Sequence, residues 1–167
     1  MEQSSSTCIF HAYLEYDQKK MSRADIVQLT LEILLAGVDT SSVTMFYTLG
    51  YLVEHPPWYA KVTNEVIQAT VNTSGDMPLL EACIKESMRL KPVGPIIMRK
   101  AQGSDRVEGI DILKDDQVII HLAAMNLHNI ERPNEFDPTR FLKADGTVIP
   151  DNKLPFGYNP FGDGPKG

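Results

Sequence analysis

With 167 residues, 43% apolar and 23% charged, the chain has the composition of one globular domain with a real core. Sixteen basic residues against 22 acidic ones leave a net charge of −6 and no basic stripe, which argues against nucleic acid as a partner. Two cysteines, Cys8 and Cys83, are too few and too far apart for a disulfide framework or a zinc site, and residues 1–10 lack the basic-then-apolar pattern of a signal peptide.

Residues 1–21 form a lead-in segment that reads as a loop or a helix end. Ser22 opens a helix, because "SRAD" is a Ser-x-x-Asp capping box ahead of an apolar run. The pattern continues from Arg23 to Glu54, where "HPPW" stops it; a helix of that length extends about 48 Å. Apolar residues (Leu31, Leu34, Leu35, Val38, Met45, Phe46, Leu49) fall on most of its faces, which predicts a helix threaded through a core. The stretch from Ile33 to Val53 also approaches the length of a membrane span. A central Asp39 would cost it about 2.5–3.5 kcal/mol on insertion, so a buried helix is the better expectation.

"WYAKVTNEVIQATV" predicts a second, surface helix, with Pro57 in its first turn, and "NTSGD" a turn. "MPLLEACIKESMRL" predicts a third, whose core stripe is Leu80, Ile84 and Met88 at a spacing of four. The period then changes. "IIMRKA", "DRVEGIDIL" and "DQVIIHLAAM" read as short strands joined by turns. After Asn126 the chain is polar and Pro-rich and reads as one long loop. The predicted fold class is mainly α, an α+β piece with a long central helix, further helices and a small sheet.

Three stretches carry chemistry. In "AGVDTS", Ala36 to Ser41, Gly37 lets a flat or bulky group approach the helix backbone, and Asp39 beside Thr40 pairs an acid with an alcohol able to relay protons. The Thr40 hydroxyl can bond back to the carbonyl four residues earlier. Glu86 and Arg89 share a helix face at i, i+3. Alone they amount to a common surface pair, but Arg140 in "PNEFDPTRF" offers a second guanidinium that would pin the late loop to the helix. In the closing "PFGDGPKG", Gly162 and Gly164 permit a sharp reversal that can aim several backbone N–H groups at one point.

In this order, the three motifs resemble those of the cytochromes P-450, the haem-thiolate monooxygenases. "PFGDGPKG" is similar to the family's Phe-x-x-Gly-x-Arg-x-Cys-x-Gly haem loop, with Phe161 and Gly164 in place and Lys166 where Arg is usual. The cysteine of that pattern is expected at the position following Gly167. Residues 22–167 are then expected to be part of a haem-monooxygenase domain continuing at both ends. "KPVGPIIMRKAQGSDRVEG" and "PNEF" resemble the aromatase branch, from which the chain departs at Val38, where aromatases carry Pro, and at "KDD".

The resemblance implies roles residue by residue. Asp39 and Thr40 would help deliver protons to dioxygen. Ala36 and Gly37 would lie against the haem face, with Phe161, Gly162 and Gly164 in the haem loop. Arg99, and less rigidly Lys166, would pair with haem propionates. Ile97 and Met98 would line the substrate pocket. Glu86, Arg89 and Arg140 would form the structural Glu-Arg-Arg triad. The implied cofactor is haem, with O2 as co-substrate and NADPH acting through a reductase partner. The implied substrate is a hydrophobic small molecule, in the aromatase-like case a steroid, as in androgen-to-estrogen conversion. The implied location is the endoplasmic reticulum membrane, through an N-terminal anchor. The alternative is a non-catalytic, truncated isoform serving as a helical scaffold.

Overall fold

A computed structural model describes residues 22–72, 75–154 and 158–161. The lead-in segment, Cys8, Gly162, Gly164 and Lys166 lie outside the described residues. In chain order the helices and strands are α1 (Arg23–Glu54), α2 (Pro56–Asn72), α3 (Pro78–Leu90), β1 (Ile97–Lys100), β2 (Asp105–Val107), β3 (Ile110–Ile112), β4 (Gln117–Ile120) and α4 (Leu122–Met125). Two 3-10 turns follow, at Pro138–Phe141 and Asp151–Lys153. The fold is mainly helical, with small antiparallel pairings.

The chain divides into two compact units, residues 1–41 and 42–167, the boundary falling inside α1. In the first unit, the capping box forms reciprocally. The Asp25 N–H donates to Ser22 Oγ at 3.2 Å, and the Ser22 N–H and hydroxyl donate to Asp25 Oδ2 at 2.8 Å each. Those bonds hold the Asp25 carboxyl below its usual range. Burial is not as the pattern predicts. Leu31, Leu34, Leu35 and Val38 are exposed, Leu35 by 64%. An all-round apolar helix shows what can be buried; burial itself needs a surface packed against it. By length and composition α1 is also able to cross a membrane, a property it shares with core helices of soluble proteins.

In the second unit α3 lies between two apolar clusters. On one side Leu52, Val62, Cys83 and Phe136 are buried, flanked by Tyr51, Trp58 and Val66. On the other, Ala82 meets Phe141 and Tyr158. Ala82 and Cys83 are completely buried, as are Glu86 and Arg89, with Ser87 nearly so. This corrects the predicted stripe. Leu80, Ile84 and Met88 are only half-buried, and the face turned inward is small and polar. Small side chains let neighbouring elements approach α3, and the ion pair can be buried because it finds partners there.

β1 and β4 pair antiparallel with Ile97 opposite Ile120, Met98 opposite Ile119, and Arg99 opposite Val118. β2 and β3 form a hairpin across Glu108 and Gly109, both at positive φ (49° and 87°), the backbone a two-residue type I′ turn needs. The predicted strand "DQVIIHLAAM" ends at Ile120. His121 Nδ1 then accepts the Ala124 N–H at 2.9 Å and caps α4. The region after Asn126 is more ordered than a plain loop: besides its 3-10 turns, Leu142 bridges Val148.

Phe136 stacks on Tyr51 at 4.9 Å and 7° and tilts against His55 at 5.1 Å, tying the late loop to the end of α1. Phe136→Ala should therefore lower unfolding stability by about 3–5 kcal/mol, measured by urea denaturation.

Candidate functional site

The site is built around α3. Its last turn carries Arg89, whose Nε donates to Glu86 Oε2 at 2.6 Å and Nη2 to Glu86 Oε1 at 2.9 Å. Neither side chain has any exposure. A buried guanidinium needs an acceptor for each N–H fork, and the loop supplies backbone oxygens. Arg89 Nη1 reaches the Pro133 carbonyl at 2.7 Å and, more loosely, that of Asn126 at 3.4 Å; Nη2 also reaches Glu135 at 3.2 Å. Glu86 Oε1 accepts the Asp137 N–H at 2.9 Å.

Arg140 stands beside the same carboxylate, its Nε 3.4 Å from Glu86 Oε1. That contact meets the distance of an ion pair but not the alignment of a hydrogen bond, so we assign it to charge attraction. Arg140 is held instead by Nη2, which donates to the Arg132 carbonyl at 2.9 Å. Arg132 sits at positive φ (49°), and its side chain pairs with Glu135 and Asp137. The three residues singled out from the sequence, Glu86, Arg89 and Arg140, thus meet at one point. What the spacing did not reveal is that most of the Arg89 bonds go to backbone carbonyls, which leave no residue-type signature.

The second tie is Lys85, which donates to Asp151 at 2.9 Å and pairs with Glu81 at 3.0 Å. Desolvation pulls its ammonium pKa down, but the bonds to Asp151 and Glu81 outweigh this and leave it above the ordinary lysine value. Tyr158 packs edge-on against Phe141 at 5.0 Å, and burial raises its hydroxyl pKa.

The remaining sequence-derived residues take simpler places. In α1, the Thr40 hydroxyl donates to the Ala36 carbonyl at 2.8 Å, the back-bond expected of a mid-helix alcohol. Asp39 is exposed, and a Cβ added at Gly37 would meet nothing within 4 Å. On β1, successive side chains alternate, so Ile97 and Arg99 share one face while Met98 lies on the other with Ile119. Arg99 is exposed, and its Nη1 donates to the Met98 carbonyl at 3.1 Å. Phe161 is 84% exposed.

The family model described as Cytochrome P450 matches residues 4–167, so the chain belongs to the cytochrome P450 family. It is similar to cytochrome P450 93B16 of Glycine max, 34% identical over 89% of this chain and 30% of that protein. It is equally similar to an aromatase of Coturnix japonica, 34% identical over 88% of this chain and 45% of that protein. A zebrafish cytochrome P450 solved with progesterone superposes with a TM-score of 0.69 at 26% identity, over 87% of this chain and 34% of the other. The chain therefore spans about a third to under a half of the relatives it matches.

Of the described residues, each taken by itself, Gly37 has open backbone and Arg99, in the other unit, is an exposed cation able to meet a carboxylate. The sulfur ligand is not among them. Cys83 is completely buried, and burial, reinforced by the Glu65 and Glu86 carboxylates, pushes its thiol up to about 12, the opposite of what a thiolate ligand needs.

Arg89→Met removes one partner of a buried pair and leaves Glu86 with only the looser Arg140 contact and the Asp137 N–H. It should cost about 3–5 kcal/mol in urea unfolding, and pairing it with Glu86→Gln should recover part of that loss.

Proposed function

We propose that the protein carrying these residues is a haem-thiolate monooxygenase that inserts oxygen from O2 into a hydrophobic small molecule. Residues 22–167 are then part of a longer haem domain. The observation that carries this reading is the buried Glu86–Arg89 pair, with Arg140 beside it, holding the loop by the carbonyls of Asn126, Pro133 and Glu135 and by the Asp137 N–H. That loop precedes "PFGDGPKG" in the chain, and fixed supporting structure is what a haem-binding segment needs.

A haem bound through a cysteine thiolate supplies the oxidising chemistry, the sulfur's electron donation favouring O–O cleavage. This chain's own residues bind, orient and move protons. Ala36 and Gly37 leave room on the α1 backbone for the flat ring. Arg99, and Lys166 in the closing loop, offer cations to the propionates. Phe161, Gly162 and Gly164 would belong to the haem loop. Asp39 accepts and releases a proton in the relay. Thr40, whose Oγ1 proton is given to the Ala36 carbonyl at 2.8 Å, holds the next position in it. Ile97 and Met98, on opposite faces of β1, are the candidates for lining the substrate pocket.

A steroid is the substrate class we adopt, supported by the aromatase relative and by the progesterone-bound zebrafish protein. NADPH electrons through a reductase, and residence at the endoplasmic reticulum membrane, complete the proposal.

Protein expressed from the complete coding sequence should take up haem. Its reduced, CO-bound spectrum should show the red-shifted Soret band of thiolate ligation. A histidine-type band would refute the thiolate assignment, and no haem uptake would favour the scaffold alternative. In the same protein Thr40→Ala should uncouple oxygen consumption from product and raise peroxide release; unchanged coupling would make Thr40 purely structural.

A further inference from the structure

The first turn of α3 shows where its backbone donors go. A helix leaves its first N–H groups without intrahelical partners, and a side chain at the N-cap usually answers one of them. Here the N-cap is Met77, which has no side-chain acceptor. Pro78 has no N–H to satisfy, and the Glu81 N–H already bonds the Met77 carbonyl at 3.0 Å. Leu79 and Leu80 remain. Both are answered from another helix: Glu65 of α2 accepts the Leu79 N–H on Oε1 and the Leu80 N–H on Oε2, each at 2.8 Å.

We propose that Glu65 is the N-cap of α3, supplied in trans by α2, and a positioning residue for the Glu86–Arg89 pair at the far end of that helix. The carboxylate grips two consecutive amides, so it sets both where α3 begins and how it is turned about its axis. Its negative charge also complements the positive end of the helix dipole. From Leu80 to Arg89 the helix rises about 13.5 Å, and a helix transmits a rotation at one end to the other as a rigid rod. The same grip fastens α2 to α3 beside the cluster of Val62, Val66 and Cys83.

The test uses protein expressed from its complete coding sequence, with Glu65→Gln, Glu65→Asp and Glu65→Ala. Amide exchange at Leu79 and Leu80 is read first. Glu65→Asp keeps the charge but shortens the reach by one methylene; Glu65→Gln keeps the reach but replaces one acceptor oxygen with a donor. Both should speed exchange at those two amides by about 2- to 30-fold, the range that loss of a cap produces. Alkylation of the buried Cys83 thiol should accelerate with them. Met77→Asp, added to either variant, gives α3 a cap of its own and should return exchange toward the starting rate. Unchanged exchange in Glu65→Gln and Glu65→Asp overturns the proposal, as does a rise that Met77→Asp leaves untouched. Should Glu65→Ala fail to fold, the two milder variants still decide. These readouts are taken on amides and a thiol, so they are independent of haem. Exchange shifts in a protein without haem would sink the proposed function and leave the cap standing.

Discussion

Arg89 and Glu86 have been taken out of water together, and everything near them follows from that. Desolvating two charges costs several kcal/mol per ion, which their attraction repays only when geometry is good and the remaining donors and acceptors are filled. The fork-to-carboxylate bonds meet the first condition. The second is met by the loop: carbonyls of Asn126, Pro133 and Glu135 face the guanidinium, and the Asp137 N–H faces the carboxylate. A buried ion pair is weak evidence of stability but strong evidence of a fixed arrangement, because few loop conformations can aim so many backbone groups at one point.

The ion pair is stable in that position because α3 lies between two clusters and presents small residues to both. Ala82 faces Phe141 and Tyr158, while Cys83 faces Leu52, Val62 and Phe136. The loop is thus attached twice, once through charge at Arg89 and once through aromatic packing. Phe136 and Phe141 flank Pro138, so the segment that carries Arg140 is also anchored by rings on either side.

Much of this was legible in the amino-acid order. The Ser22–Asp25 box announces the start of α1, and Pro56–Pro57 its end. The switch from helical to alternating period at Ile96 announces strands. Other features were not. The apolar spacing of Leu80, Ile84 and Met88 pointed to one face of α3, while the face buried is the one bearing Glu86 and Arg89. A periodicity argument counts hydrophobicity and cannot weigh a charge that finds a partner 37 or more residues away. The helix α4 was hidden by β-favouring Val118, Ile119 and Ile120 just before it, and only the His121 cap reveals the break. The exposure of Leu31, Leu34 and Leu35 on α1 has a related reason: apolar side chains describe a demand for contact, not its supply.

Local physics is what the sequence determined by itself: caps, turns, helix lengths, the ordered succession of "AGVDTS", Glu-x-x-Arg and the glycine-rich close, and through them membership of a family. These depend on neighbours a few residues apart, and such interactions are written in the chain. The tertiary structure alone decided which polar groups meet. It joined Glu86 to Arg140 although all four strands intervene in sequence, drew three loop carbonyls to Arg89, and put Ile97 and Arg99 on one side of β1 with Met98 on the other. Backbone carbonyls are identical in every residue, so their selection leaves no trace in residue type; only the path of the folded chain chooses among them.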